Sequence, residues 1–324
     1  MRIDILKTQD INDNLWMKIC QGFNECFDTS LEPDELKGGF CIETHTGFAY
    51  HALAFSDDNE LMGYTVFTPT LYEGNLKVLV GGSTFIRQKY RDDFLLFAKI
   101  VNALKQRCAE DGYEVVVAVP NKNSIDYAIR INRFVYVADL DYYILPLALS
   151  KVINKPSLHI FDGVVRFLGK GWVLLNDAFS SIVNSKERLK RYRLVIDDEF
   201  YKARFQKKCY KRVTKQKVSF CYRHYDEEGK DVIYLMDFRE NGIRTGKALC
   251  KALRYIIREE KADAILFVGF LDLKQFAMIK TPKRFVPKAL PFTYHVIDKK
   301  NKELKDAMTS KNVWDFSLMN FDVR

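Results

Sequence analysis

Two loops in the sequence lead from an apolar strand into a helix and have residue types that can bind a phosphate anion. The later one, residues 239–248, reads RENGIRTGKA and combines glycines with basic side chains. Amide groups at the start of a helix have no partner within the helix, and glycine lets a phosphate approach the backbone closely. We therefore expect a phosphate site formed by Phe238, Arg239, Gly242, Arg244, Thr245, Gly246, Lys247 and Ala248.

The earlier loop follows Ile86 and reads RQKYRDDFLLFA. Ile86 and Arg91 are candidate binding residues, but this stretch has no glycine and places Asp92 and Asp93 where the anion would lie. Each carboxylate would repel a pyrophosphate by about 1 kcal/mol even when partly solvated. The alternative is that the aspartates cap a structural helix that ends near Gly112. The later loop is the stronger candidate.

The spacing of histidine and cysteine argues against a metal site. The five histidines are dispersed, and the seven cysteines include no C-x-x-C pair, so neither a zinc site nor a disulfide framework is indicated. The sequence also has no Walker loop, dinucleotide fingerprint or nucleophile elbow. We expect no bound metal and no redox chemistry.

The elements that must position the two loops recur in one order in both halves of the chain. Strands at residues 78–86 and 232–238 each lead into a helix with apolar residues at helical spacing. Further on, an apolar strand and a short helix precede Arg-Phe-Val twice, at residues 133–135 and 284–286. We interpret the chain as a tandem duplication, with domains at residues 1–150 and 151–324.

Each half predicts an α+β domain. Early helices are followed by an antiparallel hairpin, the strand-loop-helix unit, and a final strand, helix and strand. The hairpins turn at residues 56–59 and at Glu228-Gly229. Each domain should therefore contain a mixed, largely antiparallel sheet flanked by helices. Trp314 and Phe316, near the end of the chain, should pack in the core of the second domain.

This order of motifs resembles the GNAT family (GCN5-related N-acetyltransferases) in a tandem arrangement, giving two GNAT-like domains. The resemblance rests on ELMGY at residues 60–64, GGSTFIRQKYR at residues 81–91 and RINRF at residues 130–134, and it covers nearly the whole chain in architecture. The motifs are degenerate. Phe94 and Leu96 stand where the family has glycines, and in the second half Ile243 stands where the family has Arg or Gln, although Gly246-x-Ala248 is kept.

The resemblance implies transfer of an acyl group from acetyl-CoA, or another acyl-CoA, to an amine. In such enzymes a base or a water chain deprotonates the amine, a backbone N–H of the fourth strand polarises the thioester carbonyl, and an acid protonates the leaving thiolate. The base candidates are Asp237 and Glu240, and the acid candidates are Tyr127 and Tyr294. Two histidines on hairpin strands would border the substrate groove, namely His51 and His224.

Composition and local charge limit the class of protein. A chain of 324 residues with 48% apolar and 29% charged residues is long enough for two globular domains. The amino-terminal segment has no apolar run before a cleavage site, so we expect a cytoplasmic protein. The apolar stretch that begins at Val164 is interrupted by Arg166, Lys170 and Asp177. It falls short of the ~20 apolar residues of a membrane span, which indicates a core helix or an interfacial one.

The formal net charge of +9 is partly concentrated in the basic stretch at residues 202–217. This stretch is either a solvated face or a patch for an anionic partner such as a nucleotide-sugar, a lipid headgroup or a nucleic acid. No recognition motif for DNA accompanies it, so we expect no DNA partner. The resemblance implies a small-molecule or amino-sugar acceptor.

Two other functions stay open at the level of sequence. One is an aminoacyl-tRNA-dependent transferase of the same fold that extends cell-wall peptides, in which the basic stretch would have a role. The other is a non-catalytic GNAT-like binding module, because both loops depart from the family's pattern.

Overall fold

The computed structural model describes residues 1–41, 46–93, 95–183, 190–204, 209–271, 277–298 and 300–321. The strands within these ranges are β1 (Arg2–Lys7), β2 (Tyr50–Phe55), β3 (Leu61–Tyr72), β4 (Leu76–Ile86), β5 (Val115–Ala118), β6 (Val135–Asp139), β7 (Asp141–Pro146), β8 (Tyr192–Arg193), β9 (Tyr210–Lys215), β10 (Val218–Asp226), β11 (Asp231–Glu240), β12 (Ala264–Gly269), β13 (Ile279–Lys280), β14 (Pro291–Val296) and β15 (Trp314–Asp315). The helices are α1 (Asp13–Phe27), α2 (Pro33–Cys41), α3 (Leu96–Glu110), α4 (Leu149–Val152), α5 (Asp162–Val183), α6 (Asp198–Arg204), α7 (Gly246–Glu259), α8 (Lys302–Ala307) and α9 (Leu318–Phe321).

The chain divides into two compact units. Unit 1 comprises residues 1–139, 192–204 and 289–311, and unit 2 comprises residues 140–191, 205–288 and 312–324. The sheet of unit 1 has the order β1-β2-β3-β4-β5-β14-β6, and that of unit 2 the order β13-β7-β12-β11-β10-β9. Most neighbours are antiparallel, but β4 runs parallel to β5 and β11 runs parallel to β12. The α+β class with mixed, largely antiparallel sheets is therefore confirmed.

The two units differ from the contiguous domains, residues 1–150 and 151–324, that the sequence predicted. Strand β7, from the first half of the chain, pairs with β12 and β13 in the sheet of unit 2. Strand β14, from the second half, lies between β5 and β6 in the sheet of unit 1. The physical reason is chain length, because Leu140 alone separates β6 from β7. A hairpin connection normally takes at least about two residues, so β7 cannot fold back onto β6.

Local sequence accounts for the elements around the two loops. The side chain of Asn12 accepts a hydrogen bond from the amide of Leu15 and caps α1, and Thr245 caps α7 in the same way. The hairpin turns form where the sequence predicted them, with Asn59 and Gly229 in the left-handed region that tight turns require. Helix α7 has apolar residues at helical spacing, and these pack on β10, β11 and β12.

The sheet of unit 1 is covered on both faces. All six residues of β2 are buried: Leu53 and Phe55 pack with α1 and α2, while Tyr50, Ala52 and Ala54 pack with α3. A strand with no polar face is typical of a sheet that lies between two layers of helices. In unit 2, Trp314 and Phe316 are fully buried, as the sequence predicted.

His51 is part of this core. Its ring is fully buried, with Nδ1 2.7 Å from the hydroxyl of Tyr64 and Nε2 2.9 Å from the hydroxyl of Thr8. The ring of Trp16 meets it edge-on at 5.4 Å between centroids. Burial lowers the pKa of His51 from 6.5 to about 3. His51 is thus a neutral core residue, and the structure gives it no place in a groove.

This burial predicts an acid-sensitive contribution to stability. The unfolded chain can protonate His51 below its ordinary pKa of 6.5, whereas the folded chain resists protonation until about pH 3. Stability from His51 is therefore present at pH 7 and is lost as the pH falls, by about 2 kcal/mol at pH 5. Urea unfolding of His51→Gln at pH 7 and pH 5 should show a pH dependence that is smaller by this amount. His159→Gln, at an exposed histidine, is the control, and equal pH dependence in both variants would contradict the prediction.

Candidate functional site

In each unit, the strand that leads into the candidate loop continues beyond its pairing with a parallel neighbour. In unit 1, β4 pairs with β5 only from Val78 to Gly81, and β4 then continues to Ile86. In unit 2, β11 pairs with β12 only from Val232 to Tyr234, and β11 continues to Glu240. We call the space beside residues 82–86 of β4 the first gap, and the space between residues 235–240 of β11 and the end of β12 the second gap. Backbone groups that leave a ladder need other partners, which makes both gaps candidate binding sites.

A β-bulge lies beside each gap. In β4, Ser83 and Thr84 together oppose Thr65 of β3, and Ser83 has a φ of 47°. In β11, Met236 is the extra residue opposite β10. A bulge leaves one residue out of the ladder and turns the strand, and bulges are common next to active sites. Each bulge therefore leaves a residue of the strand outside the ladder next to a gap.

The second gap is filled by the end of the chain. The amide of Phe270, which follows β12, donates to the carbonyl of Phe316 over 2.9 Å, and Gly269 forms a bridge with Ser317. The approach is so close that a Cβ atom on Gly269 would lie 2.6 Å from the carbonyl oxygen of Phe316. On the other side, Arg244 donates to the hydroxyl of Ser317 over 3.1 Å. This segment takes the space that a ligand would need.

A ring of buried charges holds that segment to β11. Nε of Arg239 donates to Asp237 over 2.9 Å, and its Nη2 donates to Asp315 over 3.1 Å. Nη1 of Arg244 donates to Asp315 over 2.5 Å, and its Nε and Nη2 each lie 3.3 Å from Asp237. The four side chains are between 0% and 5% exposed. The two carboxylates balance the two guanidinium groups, which buried charges require.

This ring changes the interpretation of three predicted site residues. The sequence predicted Asp237 as a base and Arg239 and Arg244 as pyrophosphate ligands. In the structure these side chains are buried against each other and against Asp315. Phe238, between them in sequence, is fully buried and packs edge-on against Phe267 at 5.6 Å between ring centroids. These positions stabilise unit 2 rather than face a ligand.

In the rest of the predicted phosphate site of unit 2, the backbone groups form hydrogen bonds within the loop itself. Residues 240–243 form a tight turn in which Asn241 and Gly242 both have positive φ values and Glu240 bonds to Ile243 in both directions. The hydroxyl of Thr245 accepts from the amide of Ala248 over 3.0 Å and lies 3.2 Å from Glu240. Gly246 and Ala248 are buried, whereas Lys247 is 44% exposed and lies 3.7 Å from Glu240. The first turn of α7 is thus capped from within.

The loop after β4 is also organised by its own side chains. Asp93 lies in the turn before α3: its Oδ1 accepts from the amide of Leu95 over 3.1 Å, and its Oδ2 pairs with Lys99. Arg91 is exposed, and its Nε donates to the carbonyl of Ile86 over 3.0 Å. Phe94 lies outside the described residues. The capping role that the sequence offered as the alternative is not observed, because the N-cap residue of α3 is Leu95 and no described side chain caps the helix.

Glu60 forms ion pairs and a hydrogen bond with basic and phenolic side chains of that loop. Arg87 and Lys89 both pair with Glu60, and the hydroxyl of Tyr90 donates to it over 2.8 Å. Arg87 also pairs with Glu25 over 2.6 Å. The pKa of Glu60 is lowered by the hydrogen bonds from Lys89 and Tyr90. Much of the positive charge that a pyrophosphate would use is therefore already neutralised.

The two tyrosines proposed as acids have different surroundings. Tyr127 is 39% exposed and lies on a short π-helical turn after β5, with its ring edge-on to Phe97 of the first turn of α3. Tyr294 belongs to β14 in unit 1, is fully buried and donates to the carbonyl of Lys305 over 2.7 Å. Burial raises its pKa to about 12. Of the two tyrosines, only Tyr127 is accessible from solvent.

His224 is held by two carboxylates. Its Nδ1 lies 2.8 Å from Asp231, and its Nε2 lies 3.0 Å from Glu260. Burial alone would raise the pKa of Glu260, but hydrogen bonds from Lys211, Tyr222 and His224 outweigh it and lower the pKa to about 2. This ion cluster also engages Lys211 of the basic stretch, of which residues 205–208 lie outside the described residues.

The first gap is the more open of the two. A Cβ atom on Gly82 would meet nothing within 4 Å, and Gly82 is exposed. Ser83 and Thr84 beyond it are partly exposed, and the hydroxyls of Thr84 and Thr65 lie 2.6 Å apart. Sequence reasoning gave GGSTF as part of a motif but missed Gly82, Ser83 and Thr84 as site residues. The adjacent glycines in a strand were the available signal.

Comparisons with known proteins support the fold. No protein-family model matches the chain, and no curated protein matches its sequence. A GCN5-related N-acetyltransferase from Anabaena variabilis is similar over 92% of this chain and 73% of its own, with 9% identity and a TM-score of 0.57. Another from Kribbella flavida covers 92% and 71%, with 9% identity and a TM-score of 0.58. Eis1 from Mycobacterium abscessus covers 92% and 74%, with 11% identity and a TM-score of 0.53.

These similarities confirm the predicted resemblance at the level of fold. Over 92% of its length the chain has the fold of GNAT N-acetyltransferases. Identities near a tenth show the fold alone, and a fold does not define an acceptor.

The charge ring predicts that Asp237 is a structural residue. Asp237→Asn should leave Arg239 and Arg244 partly uncompensated in the core and lower the free energy of unfolding by about 3–5 kcal/mol. Urea denaturation measures this. Glu240→Gln, at the partly exposed end of the same strand, should change it by less than about 1 kcal/mol. Equal, small losses in the two variants would show that the ring does not support unit 2.

Proposed function

We propose that the protein is an N-acyltransferase that moves an acyl group from an acyl-CoA to an amine, and that the reaction takes place at the first gap. The observation that carries this proposal is the contrast between the two gaps. In both, a strand with a bulge continues beyond its pairing with a parallel neighbour, but the second gap is filled by residues 315–317 and the first is lined by Gly82. The proposal moves the site from the second half, which the loop sequences favoured, to unit 1.

The residues of unit 1 suit the acyl end of such a donor. Acyl-CoA would supply a thioester, whose carbonyl oxygen gains negative charge as the amine attacks. The bulge at Ser83 takes β4 out of its ladder, and the backbone N–H groups of residues 82–84 are the candidates to stabilise that charge. Glycine at position 82 leaves room for an extended arm beside the strand.

Tyr127 is the candidate proton donor for the thiolate that leaves. It is partly exposed, and it lies beside the first turn of α3, which follows the loop after β4. Tyr294 and His51 are buried, so neither serves this role. The amine is proposed to belong to a small molecule or an amino-sugar, as the resemblance implies.

The pyrophosphate end of the donor has a poorer fit. Leu96, which stands where the family has glycine, is fully buried in the core of unit 1. Asp92 and Asp93 are exposed in the loop, and Arg91 is the exposed cation beside them. We therefore expect an affinity for free acyl-CoA that is limited by these carboxylates. A non-catalytic role is the second candidate, and this same loop is the observation that favours it.

The first test blocks the gap. Acetyl-CoA at a hundred times its Kd should stabilise the wild-type chain by about 2.7 kcal/mol, seen as a rise in Tm. Gly82→Ile should fold, because its Cβ has free space, but the larger side chain should abolish this rise. Lys247→Ala, at the exposed cation of the other loop, is the matched control and should keep it. Loss of the rise in Lys247→Ala with retention in Gly82→Ile would place the site in unit 2.

The second test removes a carboxylate that would repel the pyrophosphate. Asp92→Asn should tighten acetyl-CoA binding about fivefold, because it removes one repulsion of about 1 kcal/mol. Isothermal titration at low ionic strength gives the affinity. Asp34→Asn, an exposed carboxylate on α2, is the control. No binding of acetyl-CoA by the wild type or by Asp92→Asn would favour the non-catalytic module.

A further inference from the structure

Helix α5 of unit 2 presents its bulky apolar side chains to solvent. Ten of the eighteen large apolar residues that are exposed in the described chain lie between Ile153 and Phe179. On α5 itself, Phe167 is 74% exposed and Phe179 is 65% exposed. The others are Ile153, Ile160, Phe161, Val164, Leu168, Trp172, Leu174 and Leu175. A contiguous exposed apolar surface of this kind normally marks an interaction site.

The side of α5 that packs on unit 2 has the opposite character. Its buried residues are small or polar, namely Gly169, Val173, Asn176 and Ser180. Ser180 donates to the carbonyl of Asn176 and lies 4.0 Å from the sulfur of Cys250 on α7. A helix that only stabilised unit 2 would place its largest apolar residues inwards. The outward face is therefore selected for something other than the core of unit 2.

The charged side chains that the segment from α4 to α5 itself exposes are positive. Asp162 accepts from the amide and the hydroxyl of Ser150, and Asp177 pairs with Arg254 over 2.6 Å, so both acids of α5 are engaged and mostly buried. The exposed charged residues between α4 and the middle of α5 are Lys151, Lys155 and Lys170. An apolar face bordered by lysines complements a partner that has an apolar interior and negative charges where that interior meets water.

We propose that α5 binds in the interface of a lipid bilayer that contains anionic lipids, with its axis along the membrane plane. Phenylalanine, leucine and tryptophan on one face and lysines beside it are the composition of interfacial helices. The helix does not cross the bilayer: none of the described helices combines the length and the apolar content that a span requires.

The pattern fits a bilayer better than a second copy of the chain. Viewed down the helix axis at 100° per residue, the exposed apolar residues of α5 form an arc with Trp172 at one edge and Leu174 at the other. This arc covers about half of the circumference of the helix, whereas a two-helix seam uses a narrower stripe. A two-fold interface repeats the same patch, so a second copy of α5 would bring further lysines but no exposed acid of its own to pair with them. Anionic headgroups would instead neutralise these lysines.

Tryptophan fluorescence can report this binding at one residue. The chain has three tryptophans, of which Trp16 and Trp314 are buried and Trp172 is 45% exposed. Adding phosphatidylcholine vesicles with about one-third phosphatidylserine to the full chain should shift the emission of Trp172 to the blue, and the protein should sediment with the vesicles. Lipids brominated in the upper acyl chain should quench this emission. Absence of sedimentation and of any shift would overturn the proposal.

Variants at exposed positions test the face without disturbing the core. Phe167→Gln with Phe179→Gln should weaken vesicle binding by about tenfold for each phenylalanine lost. Lys155→Gln and Lys170→Gln should each weaken it about fivefold, and salt should do the same. Ile279→Gln with Phe285→Gln removes two equally exposed apolar residues elsewhere in unit 2 and should leave binding unchanged. A lipid-free dimer that Phe167→Gln with Phe179→Gln turns into monomers would assign the face to a second copy and overturn the proposal.

Discussion

A single residue, Leu140, determines which strand completes each sheet. It is the entire connection between β6 and β7, and so short a link cannot reverse the chain within one sheet. β7 therefore runs on into unit 2, where it lies between β12 and β13, and the place it would have taken in unit 1 is filled by β14. β14 and β7 thus take equivalent places in the two sheets, although each comes from the other half of the sequence.

The same scaffold is then used in two ways. In both units a strand with a bulge continues beyond its pairing with a parallel neighbour and borders a gap. In unit 2 the space holds Phe316 and Ser317, and the arginines that resemble phosphate ligands in sequence neutralise Asp237 and Asp315 instead. In unit 1 the space beside Gly82 is open, but the following loop has lost the glycines. The residues that fill the space in unit 2 belong to the core, which is why we propose unit 1 as the place of the chemistry.

Local patterns allowed much of the fold to be predicted. The hairpin turn at Gly229, the end of α3 near Gly112 and the repeated order of strands and helices follow from residues close together in the chain. The positions of β7 and β14 in the two sheets could not be predicted in this way. The side chains of β7 predict a strand but do not specify which strands it pairs with. The candidate site was harder to predict than the fold. Arg239 and Arg244 look like anion ligands until Asp315, far along the chain, is seen beside them. Pairing between distant charges has no local signature.

The position of β14 near the end of the chain has a consequence for synthesis. Chains emerge from the ribosome at about 5–20 residues per second, so β5 and β6 wait roughly 10–30 seconds for the strand that lies between them. During that time both expose an unpaired edge, which is a template for unwanted pairing with other chains. Residues 315–317 come later still, so the second gap is filled only after β14 has been made. Unit 1 can therefore complete its sheet before unit 2 is closed, although most of unit 2 precedes β14 in the sequence.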